Sequence, residues 1–346
     1  MTGLSEARAA LERGGRVVLV TPPAPQQAEV VWELVGPAAP PGRGPGVHPR
    51  ALVLTPDRAA ALDWAAAAPP DRTVHPVTGL DRTTRLLKEG AVDVLAGSLD
   101  DLAQLVSRAA LKPGAAETLV VAWPEGLAAG PSRDSLDAFL GEAPDARRII
   151  LSWNPPALRD FLDRYAFKAP VVGDLPLDDV ARPLAAIGPA RYALVTPDTR
   201  ASAVGRALDV LDPRTAYVWS LQGDGGAGTG DGWTRGADIP DGAVELVICA
   251  TLPSREQFAA LVTRGPVLLL LTPSQLAYAR AVASPLTAVR LPGAADRAAD
   301  AAETLRRQVA ARIEAGDVEA EMLLLEPLFE RHDAAEVAGA LLAQQR

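Results

Sequence analysis

The sequence predicts an α/β fold made of two parallel-sheet lobes in tandem, followed by a helical tail. Three observations carry this reading. Short aliphatic runs bounded by turn residues recur along the chain, segments with apolar residues at helical spacing lie between them, and the alternation pauses and restarts once near the middle. Continuous apolar strands alternating with amphipathic helices specify a parallel sheet covered on both faces, because the crossover helices hide each side of it.

The strands of the first lobe are RVVLV from Arg16, ALVLTP from Ala51, VDVLAG from Val92, TLVVAW from Thr118 and RIILSW from Arg148. Between them, DRAAALDWAAAA from Asp57 and SLDDLAQLVSRAAL from Ser98 have helical period. The pattern pauses at PLDDVARPLAAIGPAR, Pro176 to Arg191, and resumes with YALVTP from Tyr192, TAYVWS from Thr215, VELVICAT from Val244 and PVLLLLTP from Pro266. The expected division is therefore a first lobe at 1–175, a linker at 176–191, a second lobe at 192–292 and a helical extension at 293–346. In that extension Asp333 is placed to cap AAEVAGALLAQQ. Two stretches, Gly36 to Arg50 and Gly223 to Gly232, are rich in glycine or proline and read as open loops. The second has phosphate-loop composition but lacks the Lys-Ser/Thr ending and a strand directly before it. Its Asp224 and Asp231 do not have the spacing of a calcium loop.

At 346 residues the chain can bury a core in each lobe, and 48% hydrophobic with 22% charged residues is ordinary globular composition. No signal-peptide core opens the chain, and the longest aliphatic run, Val267 to Leu271, is too short to cross a bilayer, so a cytoplasmic protein without membrane contact is expected. The single cysteine, Cys249, excludes an internal disulfide and sits in a strand that should be buried. His48, His75 and His332 fall at no metal-ligand spacing, so no metal is expected. The net charge of −9 argues against a broadly basic nucleic-acid surface, since such affinity is built largely from cations meeting phosphates.

The order of these pieces resembles the DEAD-box RNA helicases over nearly the whole chain. ALVLTPDRAAA is similar to that family's segment ending in Pro-Thr-Arg-Glu-Leu-Ala, with Pro56 and Arg58 in place. VTGLDRTTRLLKEGAVDVLAGSLDDL is similar to the stretch from its Gly-Gly turn through Thr-Pro-Gly-Arg, and Gly79, Gly90, Asp93, Gly97 and Leu102 keep the spacing. In the second lobe ALVTPDTRASAVGRAL and GPVLLLLTPSQLAYARAV look like the family's opening strand and helix and the pair that follows its arginine-finger motif. EPLFERHDAAEVAGALL resembles the helical extension of bacterial members. The resemblance implies two RecA-like domains of the P-loop NTPase type.

It also implies an ATP site, for which the required atoms are absent. A P-loop needs glycines so that backbone N–H groups can wrap phosphates, a Lys for the β/γ-phosphates and a Ser/Thr for Mg²⁺. After RVVLV the chain reads TPPAPQQAEVV: Ala24 and Gln26 stand for the glycines, Gln27 for the lysine and Ala28 for the threonine. In place of Asp-Glu-Ala-Asp, Ala122 replaces the metal-binding Asp and Trp123 the water-activating Glu, leaving Glu125 as the one surviving carboxylate. The adenine-reading glutamine falls near Ser5, the Ser-Ala-Thr motif reads Ser152, Trp153, Asn154, and the arginine-finger run has no counterpart between Val262 and Pro266. No ATP or Mg²⁺ cofactor is therefore expected, and no catalytic residue.

By the same resemblance Arg58, Gly79, Trp153, Asn154 and Thr251 are the candidate contacts to RNA or a partner, while the arginine of Thr-Pro-Gly-Arg is replaced by Asp101. Trp123 and Trp153 lie at strand ends, where ligands of open α/β sheets bind, and either fill the vacated cleft or stack on a base or partner residue. Three functions stay open: a catalytically inactive helicase-like protein that binds RNA or a protein of RNA metabolism, a residual RNA-dependent ATPase or remodeler, and a protein-binding scaffold or regulatory subunit. Oligomeric state is not legible.

Overall fold

The computed structural model describes residues 2–13, 15–37, 48–221, 229–230, 232–292, 305–316 and 319–344. Most of the two stretches read as open loops lies outside them. The chain divides into two compact units, Met1–Leu291 and Pro292–Arg346, and the first contains both sheets.

In the first lobe the strands are β1 (Arg16–Val20), β2 (Ala51–Thr55), β3 (Val74–Pro76), β4 (Val94–Ser98), β5 (Thr118–Ala122), β6 (Arg147–Ser152) and β7 (Val171–Val172). All pair in parallel, in the order β3-β4-β2-β5-β6-β1-β7. Every residue of β2, β4 and β5 is buried, which is why these segments read as unbroken aliphatic runs. Their side chains still alternate at period two. Val18, Leu52, Leu54, Leu119 and Ile150 enter one core, and Val17, Leu19, Val53, Val120 and Ile149 enter another on the opposite face.

The second lobe contains β8 (Gly188–Leu194), β9 (Ala216–Trp219), β10 (Thr229–Gly230), β11 (Trp233–Gly236), β12 (Leu246–Cys249), β13 (Val267–Leu271) and β14 (Ala283–Ala288). They lie in the order β10-β11-β9-β12-β13-β8-β14, parallel except for the β10–β11 pair. Reading β8 as β1, β9 as β2 and so on, this is the strand order of the first lobe, repeated. Each sheet places its opening strand between its sixth and seventh, so the two lobes are copies of one parallel-sheet plan, as expected for tandem RecA-like domains.

The sequence reading did not include β3, β7, β11 or β14, and two further details differ. β8 begins at Gly188, inside the stretch assigned to the linker, where Pro189 has no ladder N–H to donate and reads locally as a turn. β10 falls inside the glycine-rich stretch from Gly223 and pairs with β11, a strand too short and polar to be read from its pattern. What is left of the connector folds on itself, with the Asp178 carboxylate accepting from the backbone N–H groups of Val180 and Arg182 at 3.0 and 2.8 Å.

In the second unit, residues 305–314 are helical, and helices Glu319–Phe329 and Ala334–Gln344 follow. Asp333 caps the last: its Oδ1 accepts from the Glu336 N–H at 2.8 Å while Glu336 Oε2 accepts from the Asp333 N–H at 3.3 Å. Among the described residues no helix is long and apolar enough to cross a membrane.

Candidate functional site

The ends of β1, β5 and β6 open toward the second lobe, where a ligand of such a sheet would sit. The loop leaving β1 makes a short 3₁₀ turn over Pro25–Gln27 and then helix Val30–Val35. It is closed in on itself. The N–H groups of Ala24, Gln27 and Ala28 donate to Pro22, Ala24 and Pro25 carbonyls at 2.7, 2.9 and 3.0 Å, so none of the three is free to wrap a phosphate. The loop is also docked on the other lobe: Ala24 is fully buried and joins the hydrophobic cluster formed by the second lobe's core. Gln27 Nε2 donates to the Leu252 carbonyl at 2.7 Å, and Gln275 Nε2 of the second lobe donates back to the Pro23 carbonyl at 2.8 Å. Gln26 Nε2 is enclosed without a partner among the described residues.

Trp123, directly after β5, occupies the space behind this loop. Its φ is +49°, a left-handed conformation that a bulky residue adopts at a cost of about 1–2 kcal/mol, so its surroundings must hold it there. They do so through its ring N–H, which reaches the Thr21 carbonyl at 3.2 Å and hydroxyl at 3.3 Å, and through packing. Trp64 lies 5.8 Å from it and Trp32 lies 5.5 Å from Trp64, giving three indoles in one buried file. Ala122 is a core residue of the same cluster.

Glu125 faces the end of β6. Its Oε1 accepts from Ser152 Oγ at 2.7 Å and from the Trp153 and Asn154 N–H groups at 2.8 and 3.2 Å, while Oε2 is enclosed without a partner among the described residues. Burial raises its pKa, and the hydrogen bonds it accepts oppose that rise only in part. The carboxylate therefore organises the β6 turn. Among the described residues no group of His, Cys, Asp and Glu gathers as a metal site. Trp153, on that turn, meets Tyr278 of the second lobe edge to face, with ring centres 5.9 Å apart.

The remaining candidates are defined by their own local contacts. Arg58 is held in a two-bond pair with Asp101, Nε to Oδ2 at 2.8 Å and Nη2 to Oδ1 at 2.6 Å, and Ser98 Oγ donates to the same carboxylate. The Arg58 hydrogen bond is the main reason the Asp101 pKa is held below the usual carboxylate value. Thr251 is buried, with its Oγ1 accepting from the Leu221 N–H at 3.2 Å. Gly79 is the half-exposed N-cap of helix Leu80–Lys88, in extended backbone with no side-chain cap bond. Cys249 is buried and its thiol pKa is pushed up by burial.

Several residues that hold the site were not nominated from sequence: Trp32, Trp64, Asp63, Arg200, Gln275 and Tyr278. Asp63 and Arg200 form a buried two-bond ion pair between the lobes, at 2.8 and 3.0 Å. The available signal was Asp63 itself, an acid within an Ala-rich apolar helix that needs a cation nearby.

No family model and no curated protein sequence matches the chain. Solved structures do. A DEAD box protein from the hyperthermophile Methanococcus jannaschii superposes with a TM-score of 0.43 at 14% identity, over 83% of this chain and 92% of that one. Saccharomyces cerevisiae Dbp5 bound to RNA and ADP BeF3 gives 0.42 at 12% identity, over 84% and 93%. The yeast DEAD-box splicing factor Prp28 gives 0.39 at 13% identity, over 75% and 73%. The fold assignment itself rests on the strand order repeated in the two lobes.

Proposed function

We propose that this chain is a catalytically inactive helicase-like protein of the cytoplasm that acts by binding, with its lobes held against each other in the absence of nucleotide. The observation that carries the reading is that the loop after β1, where a nucleotide's phosphates would be cradled, is closed on itself and docked on the second lobe. Phosphoryl transfer is almost entirely positioning and electrostatic stabilisation of the transferring group. The loop after β1 has no lysine for that task, the N–H groups of Ala24, Gln27 and Ala28 are spent on its own carbonyls, and an indole stands where a carboxylate would activate water. The Gln27 and Gln275 bonds and the Asp63–Arg200 pair then supply the lobe-to-lobe contacts that a bound nucleotide would otherwise have to bridge.

A protein is favoured over RNA as the partner. Arg58 is neutralised by Asp101, Thr251 is buried, and the net charge is −9, so little cation density is left to meet a phosphate backbone. Titration with Mg-ATP should leave the melting temperature unchanged, and purified protein with single-stranded RNA should release no phosphate above background. A dose-dependent rise in melting temperature or RNA-stimulated hydrolysis refutes the inactive reading. Salt-sensitive RNA binding without hydrolysis refutes only the choice of a protein partner.

A further inference from the structure

A cavity of about 510 Å³ opens where the end of β1, the connector between the lobes and the second lobe's helix Arg255–Val262 meet. Its lining is unlike the sealed space behind the loop. Pro22, Pro176 and Pro183 form apolar walls, and the edge-to-face pair of Trp153 and Tyr278 makes the corner. The Trp153 ring N–H and the Asn154 side-chain amide make no hydrogen bond to a described residue, whereas the indoles of Trp123 and Trp219 donate to Thr21 and to the Ala237 carbonyl. A half-exposed Trp with an uncommitted donor at the edge of an apolar slot is arranged to receive an acceptor from outside.

The rim has a sign. Asp174 and Glu256 line the opening, and the cation among the lining residues, Arg255, is turned to the Ala185 carbonyl. The connector also offers exposed apolar side chains, Leu175 of the lining and nearby in sequence Val180, 43% and 64% exposed. Aromatic corner, proline walls, free indole N–H and acidic rim together describe the complement of one kind of ligand.

We propose that this groove docks an extended, proline-rich segment of a protein partner that carries an arginine or lysine. Such a segment is preformed as a polyproline II helix with three residues per turn and unbonded carbonyls, so it loses little entropy on docking. Its rings would lie in the slot between Trp153 and the proline walls, a carbonyl would accept from the Trp153 N–H, and its cation would meet Asp174 and Glu256. The proposal rests on the reading that the chain acts by binding a protein, and it names the partner's chemistry.

The test is fluorescence anisotropy of the full chain with a labelled polyproline peptide ending in arginine, beside the same peptide ending in glutamate. The arginine peptide should bind saturably and the glutamate peptide more weakly. Trp153→Phe, which keeps a ring and removes the donor, should weaken the arginine peptide about fivefold, the worth of one neutral hydrogen bond. The exposed double change Asp174→Lys with Glu256→Lys should weaken it about tenfold and favour the glutamate peptide instead. Absence of saturable binding, or binding indifferent both to Trp153→Phe and to the rim charges, overturns the proposal. If the peptide fails while Mg-ATP also leaves the protein unchanged, this proposal falls and the inactive reading stands. ATP hydrolysis, by contrast, sinks the inactive reading whatever the peptide does.

Discussion

Two buried carboxylates of the first lobe respond to acid in opposite directions. Asp101 is held ionised by Arg58 and Ser98, so its folded pKa lies below the unfolded value. Its contribution to stability is present above the unfolded pKa and is lost as pH falls through the folded one. Glu125 is the reverse case. Burial, the dominant cause, raises its folded pKa, so its contribution is full below the unfolded pKa and is lost as pH rises through the folded value. Replacing Glu125 with Gln keeps an acceptor for Ser152, Trp153 and Asn154 and removes the charge. The melting temperature of the wild type minus that of Glu125→Gln should therefore fall as pH is raised from below the ordinary glutamate range toward neutrality. A difference that stays constant or grows across that range would mean that the Glu125 pKa is not raised, its hydrogen bonds matching or outweighing burial. Its identity as the surviving carboxylate was legible from sequence. Its role in tying down the β6 turn was not, because its partners are a hydroxyl and two backbone N–H groups of residues 27 to 29 positions away.

At the scale of elements, two short turns and one helix of the second lobe begin with a reciprocal cap: Thr196 with Thr199 and Thr272 with Gln275 at the turns, and Ser254 with Gln257 at helix Arg255–Val262. The last has a second task. Gln275 Oε1 accepts from the Thr272 N–H at 3.0 Å, while Nε2 crosses to the Pro23 carbonyl at 2.8 Å, so one side chain both starts a turn and joins the lobes. Ser254→Ala removes a cap alone and should cost about 1 kcal/mol. Gln275→Ala removes a cap and also strands a buried carbonyl, at about 1–3 kcal/mol for the unpaired group. Urea unfolding should rank Gln275→Ala clearly below Ser254→Ala, and equal midpoints would show that the cross-lobe bond adds nothing. The strands flanking these turns were readable because β12 and β13 are buried along their whole length. β3, β7, β10 and β11 were not, since runs of two to four residues at or near a sheet edge carry too little pattern to stand out, and neither was β14, an edge strand exposed at most of its positions.

For the whole molecule, the departures from a P-loop were legible residue by residue in the loop after β1, but the contacts that join the lobes there were not. The ion pair of Asp63 and Arg200 joins residues 137 apart, with side chains 3% and 10% exposed, and no local period announces it. A buried pair of this kind is modest evidence for stability when intact, yet removing one partner costs about 3–5 kcal/mol because the other charge is left buried alone. That makes Arg200→Ala the sharpest single cut between the lobes. The only cysteine, Cys249, is buried, so Glu89→Cys and Val210→Cys, exposed on the first and second lobes, can carry a donor and acceptor dye selectively. The most direct measurement of the central claim is single-molecule energy transfer between them, without nucleotide and with Mg-ATP and RNA. The account predicts one high-transfer population, unchanged by nucleotide and broadened to lower transfer by Arg200→Ala. A low-transfer population in the wild type that shifts to high transfer on adding Mg-ATP would contradict it.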